Sequence, residues 1–225
     1  MIMTKNDDNE GSDISLRVLV TSGPTREYFD PVRFLSNGSS GKMGAAIAIA
    51  LIEFGFEPVV VSGVVDVSYP VGATVYFVET TREMLDKCLE IWGGCVGVIG
   101  AAAPCDYRPK NFSLQKIAKS EFGDGLFIEL EQTEDVLGAL GGLKRVDQWS
   151  VGFALETGSG RSNAMAKLRK KNCDFIVLNS PESINNDSAN LQVFNTHNEL
   201  IATLTGTKTD IAKKLIQSIK GISIP

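Results

Sequence analysis

The sequence predicts an α/β fold: a Rossmann-like, doubly wound, mostly parallel sheet with one irregular section and a C-terminal hairpin. Three observations predict it. Short runs rich in Val, Leu and Ile recur along the chain between Gly, Pro, Ser and Thr, as strands buried on both faces do. Helical segments separate them, and that alternation implies right-handed crossovers. A loop rich in Gly and Ser follows the first apolar run and opens a helix, where such a sheet receives its ligands.

Residues 16–21 (LRVLVT) read as the first strand, ended by the turn residues Ser22, Gly23 and Pro24. After a long polar loop, Ser39-Ser40-Gly41 opens a helix over 42–54, with Gly55 as its closing C′ glycine. Strands follow at 56–62 and 74–78, and Thr80 or Thr81 caps an acidic helix reaching about Trp92. The run 96–103 is apolar throughout, hence a central strand, and the section 104–125 is irregular. Residues 129–137 (ELEQTEDVL) combine a strand end, a Thr N-cap and a new helix with Asp135 in its first turn. Two more strands are expected at 150–155 and 174–178, with a basic-faced helix over 161–171 between them. Residues 191–194 and 200–204 form the hairpin, and 209–219 the last helix. The organisation expected is a disordered lead-in over 1–14 and one domain over 15–225.

Composition narrows the function. The net charge of −5 leaves no basic excess to neutralise a nucleic-acid backbone, and no apolar run has the roughly 18 to 20 residues that span a bilayer. The polar start carries no signal-peptide pattern, and the four scattered cysteines (Cys88, Cys95, Cys105, Cys173) fit reduced buried thiols, so a cytoplasmic protein is expected. With a single histidine, His197, acid–base and electrostatic work falls to Lys, Arg, Asp, Asn or backbone groups.

The segment 22–44 carries the most information. Ser39, Ser40, Gly41 and Gly44 stand at a helix N-terminus, whose free N–H groups and positive dipole end suit a phosphate. The spacing is neither GxGxxG nor a Walker A loop, and an ordinary helix cap fits the same composition. Gly100, Ala101 and Ala102 are small residues at a strand's carboxyl end, where a base or ribose can lie against backbone, and Asp106 offers a carboxylate at the mouth. By themselves these residues fit a buried strand end with an N-cap-like Asp better. Lys167 and Lys171, four apart, share a helical face, which suits a phosphate or simply solvent.

Taken together, TSGPTREYFDPVRFLSNGSSGKMG, GAAAPCDYRP, KIAK, LEQTEDVL and VGFALET followed by AMAKLRKKNCDFIVLN resemble, in order, the motifs of phosphopantothenoylcysteine synthetases. The resemblance covers about 18–204. This sequence departs from the usual pattern at Pro24 (often Gly), Ala118 (Lys), Glu134 (Pro) and Ala189 (Asn). The decarboxylase module that precedes the ligase in fused members is not seen, so a stand-alone ligase is expected.

The resemblance implies a site. Asn37 and Lys116 would be catalytic, Asn37 holding an acyl group in the manner of an oxyanion hole and Lys116 riding on a mobile lid loop over 110–125. Gly100, Ala101, Ala102, Asp106, Lys116, Asp135, Val136, Phe153, Lys167 and Lys171 would bind the nucleotide, with Phe153 packing on the base. Gly23, Arg33, Ser39, Ser40, Gly41, Lys42 and Gly44 would receive the substrate and its phosphate. Lys119 would be the second lysine of the same lid, and residues 185–187 receive no role. The implied reaction joins 4′-phosphopantothenate to cysteine through an acyl-cytidylate, with CTP as co-substrate, Mg²⁺ as cofactor and a homodimer as the working form. The bacterial look of SSGKMG and KIxK favours CTP, while ATP remains the alternative. The metal ligands are not assigned. A reductase using NAD(P) would need a GxGxxG turn after Val20, and a non-catalytic nucleotide-binding protein would release no pyrophosphate.

Overall fold

The computed structural model describes residues 16–119, 125–156, 160–179 and 188–223. The expected lead-in and residues 185–187 lie outside them. The chain runs β1 (Arg17–Ser22), β2 (Arg26–Tyr28), β3 (Phe34–Ser36), α1 (Lys42–Glu53), β4 (Glu57–Ser62), β5 (Thr74–Phe77), α2 (Thr81–Trp92), β6 (Gly97–Gly100), β7 (Tyr107–Pro109) and β8 (Leu130–Gln132). It continues through α3 (Val136–Gly142), β9 (Trp149–Leu155), α4 (Gly160–Lys170), β10 (Phe175–Asn179), β11 (Ser188–Asn195), β12 (Leu200–Thr207) and α5 (Lys208–Ser223).

Among the described residues the main sheet has eight strands in the order β12-β11-β10-β9-β6-β1-β4-β5. From β10 to β5 all neighbours are parallel, while β11 and β12 add the antiparallel hairpin. The mostly parallel, doubly wound α/β architecture is therefore as the sequence implies, with the apolar β6 central. After β1 the chain builds outward through β4 and β5, then returns to lay β6 on the other side of β1. The direction of winding reverses between β1 and β6, and the loops at their carboxyl ends meet there.

The two faces are covered by different helices because strand side chains alternate. Val18 and Val20 pack with α1 and α5 residues such as Ile47, Leu51, Ile211 and Leu215. Leu19 between them packs with Met84 and Leu85 of α2 and Leu140 of α3. Ala154 and Ile176 carry the second face on to Ala164 and Leu168 of α4. The four cysteines are buried and free, and burial pushes the Cys173 thiol up to about 11.

Two short ribbons were not expected. The polar loop after β1 contains the antiparallel pair β2–β3, and the irregular section begins with β7 paired to β8. One expected cap is corrected: α3 is capped by Asp135, which accepts from Gly138 N at 2.9 Å, and not by Thr133. The Thr133 hydroxyl is taken by the Cys105 carbonyl, whereas Asp135 reaches the backbone N–H three residues on.

Candidate active site

The site gathers at the carboxyl ends of β1 and β6. Register there is fixed by Thr21 opposite Gly100 and extended by a bridge between Pro24 and Ala103. Ala101 N donates to Thr21 O at 3.1 Å and Ala102 N to Thr21 Oγ1 at 3.3 Å, so Gly100, Ala101 and Ala102 line the seam between the two loops.

The start of α1 is open. Gly41 stands at the N-cap with φ +74°, a left-handed conformation that favours glycine, and no side chain caps the helix. Ser39 and Ser40 precede it without closing its first turn. A Cβ on Gly44 would lie 2.1 Å from Ser22 Oγ, so only glycine lets α1 approach β1 this closely. Beneath, Tyr69 and Ser62 join Ser22 in a hydroxyl chain at 2.7 and 2.8 Å, which reaches Gly41 O at 3.3 Å. By contrast, Thr80 and Glu83 close α2 with a reciprocal capping box.

Asn37 bridges the two loops. Its Nδ2 donates to Ala103 O at 3.2 Å and Pro104 O at 2.9 Å. Both donors are thereby engaged, so the expected oxyanion-hole role has no free N–H in this arrangement, and the exposed amide presents Oδ1 as an acceptor instead. Cys105, next in the chain, is held from below: Thr25 Oγ1 accepts from its N–H at 2.8 Å and also pairs with Thr81 Oγ1 at 2.8 Å. Buried Glu27 accepts from Thr81 N at 2.8 Å, at the first turn of α2. The conspicuous TRE triplet therefore builds the floor of the site.

Arg33 is engaged by neighbouring groups, with its side chain partly exposed. Its Nε donates to Asp30 Oδ2 at 2.8 Å, its Nη2 pairs with the same carboxylate, and Nη2 also donates to Ile117 O at 2.8 Å. Lys116 is exposed on the segment that crosses this turn. The stretch expected to move as a lid is seated here, through Ser113 N to Phe29 O at 3.0 Å and Ile117 N to Asp30 Oδ2 at 3.2 Å.

The lysines expected to repel each other are treated differently. Lys171 pairs with Asp135, whose carboxyl is held below its usual range: burial opposes this, but the Lys171 ammonium and the Gly138 N–H outweigh it. Lys167 is half-buried, and its side chain makes no hydrogen bond or ion pair among the described residues. Burial, then the Lys171 charge, pushes its pKa down, against the pull of Glu156, Asp106 and Asp135. Asp106 is exposed at the mouth. Val136 opens α3, and with Gly138 N taken by Asp135 its own N–H is the first of the helix. Phe153 packs on the α1 side of the sheet, whereas α4, which carries Lys167, packs on the other. Gly23 (φ +72°) and Lys42 flank the open helix end.

The uncapped helix end and the small-residue seam thus meet at the winding reversal between β1 and β6. Residues 14–222 match the family described as DNA/pantothenate metabolism flavoprotein C-terminal domain. The chain belongs to this family. It is similar, at 40% identity over 166 residues, to the Coenzyme A biosynthesis bifunctional protein CoaBC of Vibrio cholerae serotype O1, covering 74% of this chain and 42% of that protein. It is 37% identical over 209 residues to a cysteine/cysteine sulfinic acid decarboxylase from an unknown prokaryotic organism, covering 90% of this chain and 57% of that protein. The chain thus spans about half the length of these relatives. The crystal structure of the C-terminal domain of CoaBC superposes with a TM-score of 0.77 at 35% identity, over 92% of this chain and 94% of that one.

Sequence reasoning missed Asp30, Thr25 and Glu27 as builders of the site. Asp-Pro at 30–31 is a turn signal that marks Asp30 as an Asx-turn acceptor. Nothing local marks its second partner, 87 residues away.

Proposed function

We propose that the chain is a phosphopantothenate–cysteine ligase of coenzyme A biosynthesis, using CTP and acting as a cytoplasmic homodimer. The observation that carries this reading is the uncapped, Gly41-led start of α1 beside Asn37, in a chain whose family fellows include proteins named for coenzyme A biosynthesis. No helix among the described residues is long and apolar enough to cross a membrane.

In this reading the carboxylate of 4′-phosphopantothenate attacks the α-phosphorus of CTP. The α–β phosphoanhydride bond breaks, pyrophosphate leaves, and an acyl-cytidylate forms. The cysteine amine then attacks the acyl carbon and expels CMP, giving 4′-phosphopantothenoylcysteine. The backbone N–H groups at Lys42 to Gly44 take a phosphate. Lys116 and Lys167 bring positive charge to the triphosphate, Lys167 gaining most because its ammonium is desolvated and unpaired. Asn37, with Nδ2 tied to the second loop, holds Oδ1 where it can accept from the incoming amine. Gly100 to Ala102 accept the base and ribose against backbone.

Magnesium would arrive with the triphosphate, whose charge it offsets. Such an ion needs only one or two protein carboxylates, and Asp106 supplies one; among the described residues no cluster of three His, Cys, Asp or Glu stands ready as a cage. The homodimer is supported by exposed apolar side chains on the β7–β8 ribbon (Tyr107 and Leu130) and on the segments that extend it (Phe112 and Phe127). Light scattering should give twice the chain mass, and an active monomer at working concentration would contradict it.

The experiment is pyrophosphate release with each of four nucleoside triphosphates, with and without 4′-phosphopantothenate. Release that requires the pantothenate and is fastest with CTP is expected. Release fastest with ATP corrects the nucleotide, and none with any nucleotide removes the ligase reading.

A further inference from the structure

We propose that Asp30 is a positioning residue for Lys116: together with Arg33 it grips the peptide at Ile117 and fixes where the lid lysine stands. The inference rests on the reading of Lys116 as the catalytic lid lysine.

Asp30 is wholly buried although Pro31 and Val32 beside it are exposed. A buried carboxylate is costly unless its oxygens are satisfied. Oδ1 accepts from Val32 N at 2.9 Å and Arg33 N at 2.8 Å, which closes the turn on itself. Oδ2 is turned the other way, toward Arg33 Nε at 2.8 Å and Ile117 N at 3.2 Å. Arg33 Nη2 completes the grip by donating to Ile117 O at 2.8 Å. One ion pair thus holds both the N–H and the C=O of a single lid residue, as a neighbouring strand would.

Little else seats this segment. Leu114, Gln115, Lys116 and Lys119 are exposed, and Ile117 is only half-buried. The other tether, Ser113 N to Phe29 O at 3.0 Å, falls on the same turn four residues earlier. With Ile117 held at both backbone groups, the backbone of Lys116 is fixed and only its side chain is left to order on binding. That is preorganisation, which raises rate by lowering the ordering cost in the transition state. Charge balance also suits the role. A lone aspartate near the lid would compete with a triphosphate for Lys116, but the Asp30 charge is neutralised by Arg33. Arg33 first, then the N–H groups of Val32, Arg33 and Ile117, hold the Asp30 carboxyl far below its usual range despite burial. The grip therefore stays charged wherever the enzyme works.

The test is a double-mutant cycle with Asp30→Asn and Lys116→Gln, measuring kcat and nucleotide KM for product formation in the full chain. Asp30→Asn should lower kcat about tenfold with KM changed less than about threefold, and should speed hydrogen exchange of the Ile117 amide. In the Lys116→Gln background the same change should cost less than about twofold. Should Asp30→Asn fail to fold, Ile117→Pro deletes the N–H that Asp30 accepts and lies outside the core; it should show the same loss and the same silence. If either variant costs as much in the Lys116→Gln background as in the wild type, Asp30 is merely structural and the inference falls while the ligase reading stands. If Lys116→Gln alone leaves kcat unchanged, both the role of Lys116 and the inference are overturned.

Discussion

Lys144 and Lys167 lie on either side of the turn from α4 into β10, and the protein treats them in opposite ways. At the amino end, Lys144 Nζ donates to Asn172 O at 2.9 Å and to both Asp174 oxygens at 2.8 and 2.7 Å, with Ser150 Oγ at 3.3 Å. Nearby, buried Gln148 donates to the Trp92 and Cys95 carbonyls at 3.0 and 2.8 Å. These polar groups all serve the fold. Lys167 is desolvated and its side chain has no direct partner, while at the carboxyl end Lys116 is exposed and α1 begins without a cap. A charge that is satisfied internally stabilises the chain; a half-buried charge that is not is a cost the fold bears for a ligand. The difference separates the structural end from the working end.

The largest effect expected is at Lys116. Replacing it with Gln should lower turnover on the order of a hundredfold or more, the scale of one lost electrostatic contact to a transition state, with nucleotide affinity falling much less. Calorimetry and product formation on one preparation check it; collapsed affinity with turnover preserved at saturation would make Lys116 a binding residue. Asn37→Asp comes next, with turnover down roughly tenfold to a hundredfold. Aspartate lacks the two N–H groups given to Ala103 and Pro104 and sets a carboxylate against their carbonyl oxygens. Rates of phosphopantothenoylcysteine formation equal to wild type would remove Asn37 from the site.

Lys144→Met sharpens the comparison from the structural side. It should cost about 1 to 2 kcal/mol in urea unfolding, discounted because the Asp174 carboxylate is 34% exposed, and leave turnover per folded molecule unchanged. The smallest effect has the opposite sign. Burial lowers the Lys167 pKa, so folding sheds part of its protonation. The unfolded chain then binds more protons between the lowered and the ordinary lysine pKa, and stability rises with pH through that window. Below it the cost is fully present, so Lys167→Met should raise Tm at pH 7 by up to a few degrees while weakening nucleotide binding. A lowered Tm with intact binding would reverse the assignment of the two ends.

Much of this was legible in the sequence because it is local. Val and Leu runs gave β1, β4 and β6; Thr80 or Thr81 before an acidic run gave the start of α2, which the structure caps with Thr80; Gly55 gave the end of α1. The open start of α1 showed as a Gly/Ser loop after the first strand. What escaped depends on partners distant in the chain. The strands β2, β3, β7 and β8 are three residues each, too short for alternation to register. Thr133 is an acceptable cap by type, and only the Cys105 carbonyl above it hands that role to Asp135. Likewise the ion pair of Lys171 with Asp135 depends on α3 lying beside it, and the contact of Arg33 with Ile117 on the lid lying across Asp30.

Amide hydrogen exchange with and without CTP and 4′-phosphopantothenate tests the division between the two ends most directly. The account predicts slowed exchange over 41–45, 101–106 and 113–119, and no change over 144–150 and 172–175. Protection at the amino end, with the Gly41 and Ala102 amides exchanging as before, would contradict it.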